Sequence, residues 1–130
     1  KYKLDNLCVI LDDNGLQIDG KVEDVKALDC LYSKWESFGF NVIPCDGHNI
    51  DMLIDSFEKA RQTKEQPSII IARTVKGKGV PFMENKAEWH GKAPSDEEYE
   101  KAMKALKLEE EKIEYNISEL PGKEDTIWFY

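Results

Sequence analysis

Three short apolar runs alternate with two amphipathic segments along the first 74 residues. The runs at residues 6–12, 40–45 and 68–74 are nearly all apolar, which is typical of strands buried on both faces. Between them, apolar residues recur at three-to-four spacing and predict helices over residues 23–38 and 50–63. This alternation predicts a βαβαβ unit with parallel strands and right-handed crossovers.

Each predicted helix carries one broad apolar face, which we expect to lie against the sheet. The first face comprises Val25, Leu28, Leu31, Tyr32, Trp35 and Phe38, and the second comprises Ile50, Leu53, Ile54, Phe57 and Ala60. Pro44 is expected at the end of the second strand, where its missing N–H does little harm.

After the third strand, the pattern changes to a long loop and a further helix. Residues 75–94 are rich in Gly, Lys and Pro, and a loop of this length is usually functional or disordered. Ser95 and Glu98 have the spacing of a capping box, which predicts a helix over residues 96–107. We therefore expect one domain over residues 1–108 and a tail over 109–130, whose terminal aromatic residues dock on this domain or on a partner.

Composition narrows the class of protein. A length of 130 residues fits one domain, and a formal net charge of −8 argues against a nucleic-acid binder. No apolar run approaches the roughly 20 residues of a membrane-spanning helix, and the N-terminus lacks signal-peptide character, so we expect a cytoplasmic protein. The three cysteines are far apart and lack metal-binding spacing, which indicates reduced thiols. The absence of an initial Met suggests that the chain begins inside a longer gene product.

Polar and glycine-rich residues gather where the predicted strands end. The loops Asp12–Gly20, Asp46–Asn49 and Val75–Pro94 each leave the carboxyl end of a strand. Ligands of open parallel sheets bind at that edge, so we expect a ligand site there.

Residue spacing alone does not decide whether these loops bind a ligand or form plain turns. Asp12-Asp13-Asn14 offers oxygens to a hard cation, but Asp-Asn-Gly is equally a hairpin turn with Leu16–Ile18 as a return strand, and spacing alone favours the turn. An EF-hand is excluded, because Gln17 stands where Gly is required. Lys76-Gly77-Lys78-Gly79 fits a phosphate contact or a solvated turn, and His90 fits a proton donor or a surface residue. His48 is interpreted as a plain loop residue.

Two long segments together resemble the N-terminal section of transketolases. These are residues 7–20, and residues 74–85 followed by Trp89-His-Gly-Lys-Ala-Pro94; the form is similar to the N-terminal subunit of bacterial transketolases split into two chains. The resemblance covers about residues 1–108. It implies an α/β fold of three layers, with a mostly parallel sheet flanked by helices, that forms part of a thiamine-diphosphate-binding domain.

The resemblance also implies roles for individual residues. The Asn14 side-chain oxygen and the Leu16 carbonyl would bind Mg²⁺ or Ca²⁺, which bridges the cofactor diphosphate. His90 would contact the diphosphate and substrate and act in catalysis. The supporting cofactor contacts would be Asp12, which holds the loop, Ile18, which lines the pocket, and Lys76 and Gly77, which shape its wall.

The implied reaction transfers a two-carbon ketol unit between sugar phosphates, as in pentose phosphate metabolism. The Gly-Asp-Gly metal-binding segment and the pyrimidine-binding domain are missing from the sequence, so we expect no activity from the chain alone. Its expected partners are the remaining transketolase domains or a second subunit, in a dimeric assembly. The alternatives are part of a 1-deoxyxylulose-5-phosphate synthase, which Trp89–Pro94 disfavours, and a non-catalytic βαβ binding or regulatory module.

Overall fold

The computed structural model describes residues 2–106 as a parallel sheet flanked by helices. The predictions for the tail, residues 109–130, and for the last residue of the helix expected over 96–107 lie outside the described residues. The elements in chain order are β1 (Cys8–Asp13), β2 (Leu16–Gln17), β3 (Gly20–Lys21), α1 (Val22–Lys26), α2 (Leu31–Ser37), β4 (Asn41–Asp46), α3 (Ile50–Gln62), β5 (Ser68–Arg73), a 3₁₀ turn (Ala87–Trp89) and α4 (Asp96–Leu106).

The main sheet has the order β1-β5-β4, and both of its pairings are parallel, as the alternating pattern predicts. Ile69, Ile70 and Ile71 of the central strand β5 are fully buried, so this strand is covered on both faces. Burying one such side chain contributes about 1.5–3 kcal/mol to stability. The apolar run of β5 therefore anchors the domain core.

The two outer strands differ from the prediction of burial on both faces. Along β1, exposed and half-buried residues alternate, and Ile10 is 48% exposed. The reason is that α3 packs mainly on β4 and β5.

Pro44 lies inside β4 and not at its predicted place at the end of that strand. The fold tolerates it there because β4 is an edge strand among the described elements.

The single helix predicted over residues 23–38 is wrong, because the structure has two short helices there. The chain leaves helical geometry between α1 and α2, where Asp29 adopts a left-handed φ of 50°. Lys34 Nζ donates to the Leu28 carbonyl and lies 3.7 Å from Asp29 Oδ2, so local side-chain contacts stabilise the break. Phe38, expected on the buried face, is 77% exposed.

Helix α3 is confirmed, but of its predicted apolar face only Leu53 and Ala60 lie against the core. Ser56 and Ala60 are its buried residues, and Leu53 packs against the core cluster of Ile43, Cys45, Ile70 and Ala72. A second apolar stripe lies beside this face and is exposed; it consists of Ile50, Ile54 and Phe57. Apolar spacing alone does not separate these two adjacent stripes, so the sequence predicted a single buried face.

The capping box at the start of α4 is confirmed in both directions. Ser95 N donates to Glu98 Oε2 at 2.9 Å, and Glu98 N donates to Ser95 Oγ at 3.3 Å. The hydrogen bond from Ser95 N, together with one from Lys92, lowers the pKa of Glu98 below its ordinary value.

All three cysteines are free thiols. Within residues 2–106, no helix has the length and apolar character needed to cross a bilayer.

Candidate functional site

The carboxyl ends of the three parallel strands are tied together at one edge of the sheet. Thr74, directly after β5, donates from its hydroxyl to Asp12 Oδ1 at the end of β1. On the other side, Gly47 N donates to the Arg73 carbonyl at 2.8 Å, which joins the turn after β4 to the end of β5. The three loops predicted to hold ligand-binding residues therefore start from strand ends that are hydrogen-bonded to one another.

The first loop folds tightly around Asn14. Asn14 Oδ1 accepts a hydrogen bond from Leu16 N at 2.9 Å, a local turn that a short amide side chain favours. Leu16 does not return along β1; it enters β2, which pairs with β3 around the two-residue tip Ile18-Asp19. The return strand predicted for Leu16–Ile18 is thus only partly right, since its partner is Gly20–Lys21.

The long loop after β5 is compact. Asn85 N donates to the Lys76 carbonyl at 3.0 Å, and Trp89 Nε1 donates to the Phe82 carbonyl at 3.1 Å. Gly77 allows this closure, because a Cβ there would lie 2.7 Å from the Cβ of Met83. The 3₁₀ turn at the end of the loop contacts β3, and His90 follows that turn directly. Contact with β3 is what brings His90 to the Asn14 loop.

The two loops enclose a cavity of about 310 Å³ between them. It is lined by Asn14, Leu16, Gln17, Ile18, Lys76 and His90. The Asn14 loop supplies neutral oxygen and apolar surface, while the long loop supplies an ammonium group and an imidazole. Such a cavity can hold an anionic group between hydrogen-bond donors and a hard cation.

The structure brings together most of the predicted site residues, although they come from segments about 60 positions apart in the sequence. Asn14, Leu16, Ile18, Lys76 and His90 all line the cavity, with Ile18 exposed at its rim. Asp12 and Gly77 do not line it. Asp12 holds Thr74, and Gly77 shapes the turn after Lys76.

Two of the four amides in the Lys76–Gly79 segment are engaged within the long loop. Lys78 N donates to the Val75 carbonyl at 3.2 Å, and Gly79 N donates to Glu84 Oε1 at 2.9 Å. A phosphate contact by this segment stays a prediction, and Lys76 is its member that lines the cavity.

Three residues near the site were not predicted from the sequence. Gln17 lines the cavity beside Leu16, and Thr74 links two strand ends. His48, expected to be a plain loop residue, accepts a hydrogen bond from Val75 N at 2.7 Å through Nε2. Neither Thr74 nor His48 carries a sequence signal for these contacts, since both partners are distant in the chain.

A wider cavity, of about 630 Å³, lies beside Asp13 and Arg73 and reaches the break between α1 and α2. Hydrogen bonding to Tyr32, together with the negative charge of Asp13, raises the pKa of the Arg73 guanidinium. This cavity is larger, but its lining includes none of the predicted site residues.

Carboxylate ligands for a metal are scarce in this part of the protein. Residues 2–106 contain no group of three or more His, Cys, Asp or Glu side chains placed to hold a metal ion. Any cation at the cavity would depend on amide and carbonyl oxygens from Asn14 and Leu16, and on ligands from elsewhere.

Comparison with known proteins gives clear relatives over this region. A protein of Phocaeicola vulgatus described as an apulose-4-phosphate transketolase subunit is 40% identical over 114 residues, which are 88% of this chain and 41% of that protein. A relative of the same description from Actinobacillus succinogenes is 43% identical over 109 residues, covering 84% of this chain and 39% of the relative. The chain thus spans about two fifths of the length of these relatives.

A solved structure agrees with the sequence relatives. The transketolase of Campylobacter jejuni superposes with a TM-score of 0.74 at 30% identity, over 82% of this chain and 17% of that one. The family model described as transketolase, thiamine diphosphate binding domain, matches residues 1–120. Since that match includes every described element and both loops around the cavity, the chain belongs to the transketolase family, within its thiamine diphosphate binding domain.

Proposed function

We propose that this chain forms the diphosphate-binding part of a transketolase that moves a two-carbon ketol unit from a ketose phosphate to an aldose phosphate. The observation that carries the proposal is the cavity of about 310 Å³ in which Asn14, Lys76 and His90 meet. Distant segments of a transketolase-family domain converge there with the groups that a metal–diphosphate ligand needs: neutral oxygens for the cation and basic groups for the anion.

The residues of the first loop fit a Mg²⁺ or Ca²⁺ ion bound to the diphosphate. An amide oxygen has two lone pairs, so the hydrogen bond from Leu16 N leaves one on Asn14 Oδ1 for a cation. The Leu16 carbonyl would be the second protein ligand. Ile18 would contact the cofactor at the rim, and Asp12 would keep the strand ends in place through Thr74.

The basic residues of the long loop would contact the anionic groups of the cofactor and the substrate. Lys76 and His90 would contact the diphosphate, and His90 would donate a hydrogen bond or a proton to an oxyanion that develops on the substrate. Gly77 would keep the loop close behind Lys76. Thiamine diphosphate, when bound, supplies the electron sink for breaking and forming the carbon–carbon bond.

We further propose that the unit works only in a larger assembly. The chain spans about two fifths of the length of the two transketolase relatives, and residues 2–106 provide no carboxylate cluster for the metal. The missing ligand and the pyrimidine-binding domain would come from other transketolase domains or from a second subunit, in a dimeric enzyme. In this proposal residues 1–108 form the domain and residues 109–130 its tail.

The substrate class is open to a direct assay of that assembly. We expect ketose phosphates to serve as donors, and apulose 4-phosphate belongs on the test panel because two of the relatives are named for it. Activity with pyruvate and glyceraldehyde 3-phosphate, and none with ketose phosphates, would instead favour the deoxyxylulose phosphate synthase alternative.

Replacing Asn14 tests the metal assignment. In the assembled enzyme, Asn14→Leu should weaken Mg²⁺-dependent thiamine diphosphate binding at least about tenfold, because a metal ligand is lost. Asn14→Asp is the matched control, since it keeps an oxygen at the same distance from the backbone, and it should retain most of the affinity. Isothermal titration calorimetry with and without Mg²⁺ measures both. Equal affinity for Asn14→Leu and the unmodified enzyme would refute the metal assignment.

A further inference from the structure

The turn after β4 takes no part in the proposed chemistry, yet its histidine reaches the loop that lines the cavity. His48 Nε2 accepts a hydrogen bond from Val75 N at 2.7 Å. An imidazole nitrogen that accepts a hydrogen bond carries no hydrogen of its own, so Nε2 offers its lone pair to Val75 N. The contact therefore depends on an acceptor atom at this position.

The turn holds His48 in place for this contact. His48 N donates to Asp46 Oδ1 at 2.9 Å, and Asn49 N donates to the Asp46 carbonyl at 3.1 Å. Gly47 N donates to the Arg73 carbonyl at 2.8 Å, which fixes the turn against the end of β5. The imidazole thus approaches Val75 from a backbone that is already anchored.

Val75 lies between an anchored residue and a cavity residue. Thr74 is bound to Asp12 through its hydroxyl and to the Asp13 carbonyl through its N–H, at 3.4 Å for the latter. Lys76, the next residue after Val75, lines the cavity. The bond to His48 therefore joins the turn after β4 to the residue directly before Lys76.

We propose that His48 is a positioning residue for the cofactor site: its Nε2 acceptor holds Val75 and thereby the loop that carries Lys76. This inference rests on the proposed function, because it concerns the same cavity. Loss of the acceptor should release Val75, loosen the loop and lower the affinity for the cofactor.

Two replacements separate the acceptor from the bulk of the side chain. His48→Gln places an amide oxygen near the position of Nε2, whereas His48→Leu has similar bulk and no acceptor. Both are made in the full-length protein assembled with its partner. Amide hydrogen exchange at Val75, as a protection factor, and the Kd of thiamine diphosphate with Mg²⁺ are measured for both variants and for the unmodified protein at one pH.

His48→Leu should lower both Val75 protection and cofactor affinity about three- to tenfold, as for the loss of one hydrogen bond. His48→Gln should keep both readouts close to those of the unmodified protein, because it keeps an acceptor. This rescue by the conservative variant isolates the acceptor from the packing of the side chain.

The two readouts also separate this inference from the proposed function. Val75 protection or cofactor affinity in His48→Leu equal to that of the unmodified protein would overturn the positioning role and leave the proposed function standing. An unmodified assembly that fails to bind thiamine diphosphate would overturn the proposed function, and the positioning role with it, whatever the exchange at Val75 shows.

Discussion

Thr74 is the residue on which the geometry of the strand ends depends most directly. Its hydroxyl binds Asp12, while its methyl group faces Gly47 of the neighbouring turn. A Cβ on residue 47 would lie 2.5 Å from Thr74 Cγ2 and 3.1 Å from both the Ala72 Cβ and the Arg73 carbonyl oxygen. Gly47 is therefore required by close approach of the chain.

Gly47→Ala should destabilise the protein by about 1–3 kcal/mol, the usual cost of forcing extra volume into a packed site. The denaturation midpoint in urea measures this cost. Gly47→Ala combined with Thr74→Ser is the matched test, because serine removes Cγ2 and keeps the hydroxyl that binds Asp12. We expect the double replacement to recover part of the loss, and no recovery would show that crowding at Thr74 is not the cause.

At the scale of the elements, α3 shows that the spacing of apolar residues does not by itself predict which side chains are buried. Leu53, Ser56 and Ala60 point into the core although one of them is polar, and Ser56 satisfies its hydroxyl by donating to the Met52 carbonyl at 2.7 Å. Ile54 is 60% exposed on the second stripe. The serine and alanine are small because β4 and β5 lie directly beneath the helix.

The two stripes of α3 should respond differently to replacement. Ala60→Leu adds three carbons to a side chain that is only 6% exposed, and should cost about 1–3 kcal/mol of unfolding free energy. Ile54→Gln alters the exposed stripe and should stay within about 0.5 kcal/mol. Chemical denaturation followed by circular dichroism compares them. A larger cost for Ile54→Gln than for Ala60→Leu would contradict this assignment of the faces.

At the scale of the whole molecule, the described fold carries one side of the proposed site. The cavity wall formed by Asn14, Leu16, Lys76 and His90 is present, while residues 2–106 hold no cluster of acidic or sulfur ligands for a metal. The exposed Ile10 lies on β1, an edge strand of the sheet formed within residues 2–106, away from the strands on which α3 mainly packs. Both features are consistent with a unit that functions next to other protein.

The isolated 130-residue chain should therefore bind thiamine diphosphate weakly or not at all, and should show no ketol transfer. The physical reason is that two neutral oxygens alone are a poor site for Mg²⁺, which is usually held by one or two carboxylates together with phosphate oxygens. Calorimetry on the chain alone, with the assembled enzyme as the positive control, measures this. Micromolar binding by the chain alone would contradict the expectation.

The sequence by itself determined the fold class and the order of the main elements. The signals used were local: the isoleucines of β5, the spacing within α3 and the Ser95–Glu98 box. Local signals can be interpreted without knowledge of contacts between distant segments. It also indicated which loops share an edge, because the carboxyl ends of parallel strands must lie together. The single helix predicted over residues 23–38 is wrong, because the chain leaves helical geometry between α1 and α2, where Asp29 has a φ of 50°.

Only the tertiary structure decided which side chains meet and which stay exposed. The bonds from Thr74 to Asp12 and from Val75 to His48 join residues 62 and 27 positions apart, and no periodicity encodes them. The exposure of Ile54 and Phe57 follows from where α3 rests on the sheet, which apolar spacing cannot specify. Contacts between distant segments depend on the packed geometry of the whole domain, so they appear only once that geometry is known.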